Sequence, residues 1–259
     1  MSKFAANLSM LFNEVGFLDR FDAAARAGFK GVEYLFPYAY VKDDLAERLH
    51  WYELTQVLHN LPAGDWDAGD RGIACDPERV GEFQDGVGTA IEYATALKCE
   101  RVNCLAGVAP QGVEPKSLHE TFVSNLKFAA SKLKAAGVKL LIEPINTRDI
   151  PGFYLTHTAQ ARSIIEEVGS DNLGLQYDIY HMQIMEGDLA PTIEASLDLI
   201  DHFQVADTPG RNEPGTGEIN YPFIFDFIDR SGYDGWIGCE YKPSETTEGG
   251  LDWVKPYLD

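Results

Sequence analysis

Short apolar, β-branched runs alternate with longer amphipathic stretches from one end of the chain to the other, and no linker interrupts the alternation. The runs predict eight strands, over 4–8, 31–35, 55–61, 101–105, 139–145, 173–179, 202–206 and 236–241. Between them the helical period predicts helices over 17–27, 43–52, 77–97, 115–136, 159–168, 191–199 and 222–230, with a last one near 251–257. Gly28, Gly137 and Gly232 follow three of these helices, where a left-handed cap is expected. Eight strand–helix units of about 30 residues each fill nearly all of a chain of 259 residues, which predicts a single-domain α/β fold, the (β/α)8 TIM barrel. A doubly wound open sheet is the rival. It would favour fewer strands and a glycine-rich phosphate turn after the first, whereas LSMLFNEVGF follows Asn7 and contains no G-x-G-x-x-G.

Charge narrows the class of partner. The chain has 21 Lys and Arg against 41 Asp and Glu, a formal charge of −20, with no basic stripe, so nucleic acid and anionic membrane surfaces are not expected partners. No apolar run approaches the roughly 18 to 20 residues that span a bilayer, and Asn7, Ser9 and Asn13 break the apolar start, which reads as a cytoplasmic, unprocessed chain. Cys75, Cys99, Cys104 and Cys239 lack a Cys-x-x-Cys spacing, so buried free thiols are expected rather than disulfides or structural zinc. Formation of a homo-oligomer stays open.

In such barrels the active site lies at the C-terminal ends of the strands, so the polar residue that closes each strand carries the functional signal. The fifth predicted strand closes LLIEPIN with Glu143, the sixth closes LGLQYDIYH with Asp178, the seventh reads HFQVAD with Gln204, and the eighth reads WIGCEYKP with Glu240. Neighbouring strands lie about 4.8 Å apart, so inward side chains from four consecutive strands converge on one point. Three carboxylates so close do not all ionise without a cation. Three carboxylates and one amide oxygen form a hard donor set, which favours Mg²⁺ or Mn²⁺ over zinc. His181 either joins this group or orients a substrate.

These residues resemble the xylose isomerase-like TIM barrels over the whole chain, from FAANLSMLF and GFKGVEYLFPY through LLIEPIN, DIYHMQIMEGDL and GRNEPGTGEINYP to CEYKP, the run 210–222 being the most specific. The resemblance implies that Glu143, Asp178, Gln204 and Glu240 ligate the divalent metal and that Glu143 and Glu240 donate and accept the proton. It further implies isomerisation of a short hydroxy-oxo acid, hydroxypyruvate first. A 2-oxo-tetronate isomerase or a ketose 3-epimerase fits the same site. A metal-dependent DNA-repair endonuclease would need a richer histidine set than six scattered His and a basic groove, and a barrel that only binds metal and a sugar acid is the non-catalytic alternative.

Further mouth residues are candidates for substrate binding. His59 ends the third strand and points inward if Val57 does, and Glu33 ends the second as a carboxylate that orients His59 or a backbone group. Alternation that sends Glu240 inward also sends Lys242 inward, while Arg211 lies in the turn-rich loop after the seventh strand with Asp207 and Asn212. Either cation could meet a substrate carboxylate. Arg71 sits in the glycine-rich loop 62–76, which either closes as a lid or pairs Arg71 locally.

Overall fold

A computed structural model describes residues 2–258. Strands β1 (Lys3–Asn7), β2 (Gly31–Glu33), β3 (Thr55–Asn60), β4 (Arg101–Cys104), β5 (Lys139–Ile142), β6 (Leu173–Asp178), β7 (Ile200–Val205) and β8 (Trp236–Cys239) form a closed barrel in chain order, and β8 pairs with β1. The pairings are parallel. The expected TIM barrel is thus the observed one. Helices α1 (Arg20–Arg26), α2 (Lys42–Trp51), α3 (Val80–Leu97), α4 (Pro115–Ala135) and α5 (Thr158–Val168) follow the first five strands, α6 (Ile179–Met185) and α7 (Leu189–Ser196) both follow β6, and α8 (Tyr221–Arg230) follows β7. Gly28, Gly137 and Gly232 have φ of +100°, +73° and +84°, as expected of left-handed caps. The four cysteines are buried and free, and no helix among the described residues is long and apolar enough to cross a membrane.

Three elements depart from the sequence pattern. The helix expected from residue 77 begins at Val80. An unexpected helix, α6, starts directly at the end of β6, because Asp178 caps it by accepting from the backbone N–H of Tyr180 at 2.8 Å and of His181 at 3.4 Å. The last unit has no α-helix over 251–257, only 3₁₀ turns at Glu248–Gly250 and Lys255–Tyr257. Aromatic packing holds that segment. The Trp253 ring stacks on Phe225 of α8, 5.7 Å between centroids, and both meet Phe4 of β1 edge-on. A buried aromatic of this kind contributes about 1.5–3 kcal/mol, enough to replace a helical turn as a clamp.

The barrel interior changes character from bottom to top. Ala5, Val57, Leu58 and Leu141 form a small apolar plug at the lower end. Above it the side chains are polar: Asn7, Glu33, Asn60, Asn103, Gln176, His202 and Gln204 are all buried. Gly238 in β8 is needed there, since a Cβ would overlap the Glu33 carboxylate. This polar layer is the floor of the mouth.

Candidate active site

Parallel register explains which side chains meet. Asn103 of β4 pairs with Leu141 of β5, so Glu143, two residues on, faces the same interior. Asp178 pairs with Gln204, and Gln204 with Gly238, which places Glu240 above the β8 end on that face. Glu143, Asp178 and His181 bring ligand atoms within 4.8 Å of one another. Arg211 reaches into the same space, with Nη2 3.3 Å from Glu240 Oε1 and 3.9 Å from Asp178 Oδ2. The structure therefore brings together Glu143, Asp178, His181, Arg211 and Glu240.

The electrostatics of the group suit a cation. Burial, then the charges of Glu240 and Asp178, push the Glu143 carboxyl well above its usual range. Burial pushes Glu240 up to about 8, with Arg211 opposing and Asp178 and Glu33 reinforcing the rise. Asp178 is pushed up to about 6, again by burial first, against the pull of Arg211. Asp178 Oδ2 is buried without a hydrogen-bond partner. A carboxylate oxygen left bare in a crowded, desolvated cluster fits a divalent metal ion, which would favour the ionised form of all three groups.

This crowding sets a pH dependence for the metal-free protein. Glu240 has its carboxyl raised from 4.5 to about 8 in the folded state, so the folded state holds a proton that the unfolded chain has released. Its stabilising contribution is complete below about pH 4.5 and is lost as pH rises through 8. With a chelator present, the melting temperature is expected to fall across that window. The fall should be shallower in Glu240→Gln and largely removed by saturating divalent cation. A flat chelated profile would mean that these carboxylates ionise without penalty.

Gln204 lies at the level of Asp178 but in the polar floor. Its Nε2 donates to Glu33 Oε1 at 2.7 Å and its Oε1 accepts from Gln176 Nε2 at 2.7 Å, which leaves one lone pair on that oxygen. Glu33 also accepts from His202 Nε2 at 2.7 Å and Asn7 Nδ2 at 3.0 Å. It therefore orients Gln204 and His202, not His59.

Three further residues expected to contact substrate have protein partners in the structure. A register shift opposite Val32 and Glu33 breaks the parity of β3, so Val57 joins the interior plug while His59 turns outward. Asn60, beside Asn103 at 3.3 Å, takes the inward position. His59 Nδ1 lies 3.3 Å from Tyr38 Oη and 3.1 Å from the Asn60 carbonyl, and burial pushes the ring down to about 4, so it is neutral. Lys242 is exposed: β8 ends at Cys239, and alternation carries one residue past it to Glu240 but no further. Its role in the loop is through its backbone, which donates to the Arg211 carbonyl at 2.8 Å and accepts from Asn212 Nδ2 at 2.8 Å. Arg71 is paired locally: its guanidinium donates to the carbonyls of Trp66 and Asp70 at 3.0 and 2.6 Å and lies over the Trp66 ring at 4.2 Å.

Asp207 builds the loop that carries Arg211. Its two carboxylate oxygens accept four backbone N–H groups, from Thr208 and Ile219 at 2.9 and 3.1 Å and from Gly215 and Gly217 at 2.9 Å each. Gly217 leaves room for this turn, since a Cβ would overlap the Thr208 carbonyl. Arg211 itself sits at φ +55°, a left-handed conformation that costs a non-glycine residue about 1 kcal/mol or more and persists because the loop over-determines it.

Four polar residues of the site carry no strong signal in the sequence. Asn103 Nδ2 donates to Glu143 Oε2 at 2.8 Å, which leaves Oε1 as the oxygen that faces His181, 3.9 Å from Nε2. Asn146 Nδ2 lies 2.6 Å from His181 Nδ1. Tyr180 Oη donates to Asp149 Oδ2 at 2.9 Å, and its ring lies 5.1 Å beneath the Arg211 guanidinium. Asn103 is the next-to-last residue of β4 and Asn146 lies four residues past the end of β5, so both stand near the strand ends that single out the carboxylates. Neither Asp149 nor Tyr180 has such a marker.

Known proteins resemble the chain over its whole length. The chain is 56% identical over 99% of its length to hydroxypyruvate isomerase of Escherichia coli (strain K12), the whole of which is covered. It is 48% identical over its full length to 2-oxo-tetronate isomerase of Cupriavidus necator, of which 99% is covered. A crystal structure from Brucella melitensis, described as AP endonuclease, family 2, matches all of both chains with a TM-score of 0.98 at 47% identity. Residues 21–257 match the family described as xylose isomerase-like TIM barrel. The chain belongs to the xylose isomerase-like TIM barrel family.

Proposed function

We propose that this chain is an isomerase that interconverts hydroxypyruvate and 2-hydroxy-3-oxopropanoate (tartronate semialdehyde). The observation that carries the reading is the 56% identity, end to end, to a hydroxypyruvate isomerase. The site has the groups such a reaction needs. One carboxylate takes a proton from C3 and the freed electron pair forms the C2–C3 double bond of an ene-diolate. The O3 hydroxyl proton passes to O2, C3 becomes the aldehyde, and a proton is returned to C2. Glu143 and Glu240 are assigned as the groups that take and return that proton; burial raises both carboxyls in the metal-free site, and a bound cation would bring them down again. Glu143, Asp178, Glu240 and the free lone pair of Gln204 are an oxygen set suited to Mg²⁺ or Mn²⁺, which would supply Lewis-acid stabilisation of the two oxygens worth several kcal/mol. The four free thiols agree with a reducing, cytoplasmic setting.

The 48% relative favours a second reading, isomerisation of a 2-oxo-tetronate, which adds one hydroxymethyl carbon to the same chemistry. A coupled assay on hydroxypyruvate, 2-oxo-tetronates and free ketoses with Mg²⁺ or Mn²⁺ separates them. The expected result is the highest kcat/KM on hydroxypyruvate, and a tenfold preference for a four-carbon acid would transfer the assignment. Endonuclease chemistry is not favoured, because a surface of −20 charge repels a phosphate backbone.

Arg211 is the proposed anchor for the substrate carboxylate. Its Nε is buried without a partner and its side chain is 17% exposed, so it has donors left for an anion in a largely desolvated place. Arg211→Met is expected to raise KM for hydroxypyruvate about tenfold or more, roughly 1.4 kcal/mol. An uncharged hydroxy-carbonyl analogue should be affected much less. Equal losses on both would show instead that Arg211 serves mainly to neutralise Glu240 and Asp178.

A further inference from the structure

His181 stands in the first turn of α6, its ring buried between Asn146 on one side and the mouth carboxylates on the other. The two ring nitrogens meet opposite kinds of neighbour. Nδ1 is met by donors, the Asn146 side-chain Nδ2 at 2.6 Å and the Asn146 backbone N–H at 3.5 Å. Nε2 faces acceptors, Asp178 Oδ2 at 3.5 Å and Glu143 Oε1 at 3.9 Å.

The direction of the Asn146 contact is itself fixed. Asn146 Oδ1 accepts the Asp149 backbone N–H at 2.8 Å, and Nδ2 donates its second hydrogen to Asp149 Oδ2 at 3.2 Å. Turning the amide over would set N–H against N–H at one end and a carbonyl oxygen against a carboxylate at the other. Asp149 is held in turn by the Tyr180 hydroxyl at 2.9 Å, with Arg211 Nη1 at 3.7 Å. A ring nitrogen that accepts a hydrogen bond carries no proton, so the proton of the neutral ring sits on the other nitrogen.

We propose that Asn146 is a positioning residue that locks His181 as the Nε2-protonated tautomer, so that the ring offers an N–H to an oxygen in the barrel mouth and not a lone pair to a metal ion. The cluster of Glu143, Asp178 and His181 then divides into two oxygen ligands and one hydrogen-bond donor. The isomerase reading enters only in naming the oxygen served, the O2 or O3 of the substrate that gains charge in the ene-diolate.

Long-range ¹H–¹⁵N correlation spectra of ¹⁵N-labelled, metal-free protein test this without reference to turnover. Six histidines keep the spectrum simple, and His181→Gln identifies the resonance. The wild type is expected to show a protonated Nε2 and an unprotonated Nδ1. Asn146→Asp puts an acceptor opposite Nδ1 and should invert that pattern, lowering kcat at least tenfold and tightening Mn²⁺ or Zn²⁺ binding through the freed Nε2 lone pair. A wild-type spectrum with protonated Nδ1 overturns the proposal outright, whether or not the variant folds. An Asn146→Asp spectrum that keeps Nε2 protonated overturns the role of Asn146. Absence of hydroxypyruvate turnover would sink the isomerase reading and leave the tautomer result standing.

Discussion

Glu240→Gln and Glu143→Gln are each expected to lower kcat by about 100-fold or more while the barrel stays folded. The amide keeps the shape and one oxygen of the carboxylate but accepts no proton, and a placed general base typically supplies 10²- to 10⁴-fold. The two replacements differ in their neighbours. At Glu240, the amide gives up the ion pair with Arg211 at 3.3 Å but relieves a buried carboxyl pushed up to about 8. The metal-free variant should therefore melt no lower than the wild type above pH 8. At Glu143, the Asn103 donor at 2.8 Å still finds an oxygen, so the new amide nitrogen turns toward Asp178 and His181. Steady-state kinetics with circular dichroism decide the matter. Either variant that retains more than about a tenth of wild-type kcat contradicts an essential proton-transfer role for that residue.

The barrel was legible because its signal is repeated. A period of two in short runs and a period near 3.6 in longer ones recur eight times, and each repetition makes a single misplaced boundary unimportant. The strand-end carboxylates were legible for a related reason, since an ionisable residue closing an apolar strand needs a partner inside. What stayed hidden depends on a single local event. One register shift in β3 exchanges His59 for Asn60 at the inward position, and alternation has no way to announce a shift. Lys242 fails similarly, because the strand stops before it and parity no longer applies. The helix at 179–185 was concealed by Asp178 acting as strand end, cap and site residue at once. The missing helix at 251–257 was replaced by aromatic packing that only the folded chain brings together.

The asymmetry of the Asp178 carboxylate makes it the residue whose loss should most affect metal binding. Oδ1 caps α6, whereas Oδ2 is buried, unpartnered and aimed at His181 and Arg211. Asp178→Ala removes both functions, so it should lose about 1 kcal/mol of cap stability and, beyond that, most of the affinity for Mn²⁺. Asp178→Asn separates them. Its amide oxygen keeps the cap on Tyr180 and relieves a carboxyl pushed up to about 6, so the metal-free melting temperature should stay close to wild type. Its amide nitrogen, however, faces the place where a cation would sit, and metal affinity is expected to fall at least 100-fold by calorimetric titration. Saturating Mn²⁺ at about 100 times its dissociation constant adds roughly 2.7 kcal/mol to the wild type, several degrees for a chain of this size, and should add little to either variant. Unchanged Mn²⁺ affinity in both variants would remove Asp178 from the ligand set and leave Glu143 and Glu240 to hold the ion against Arg211.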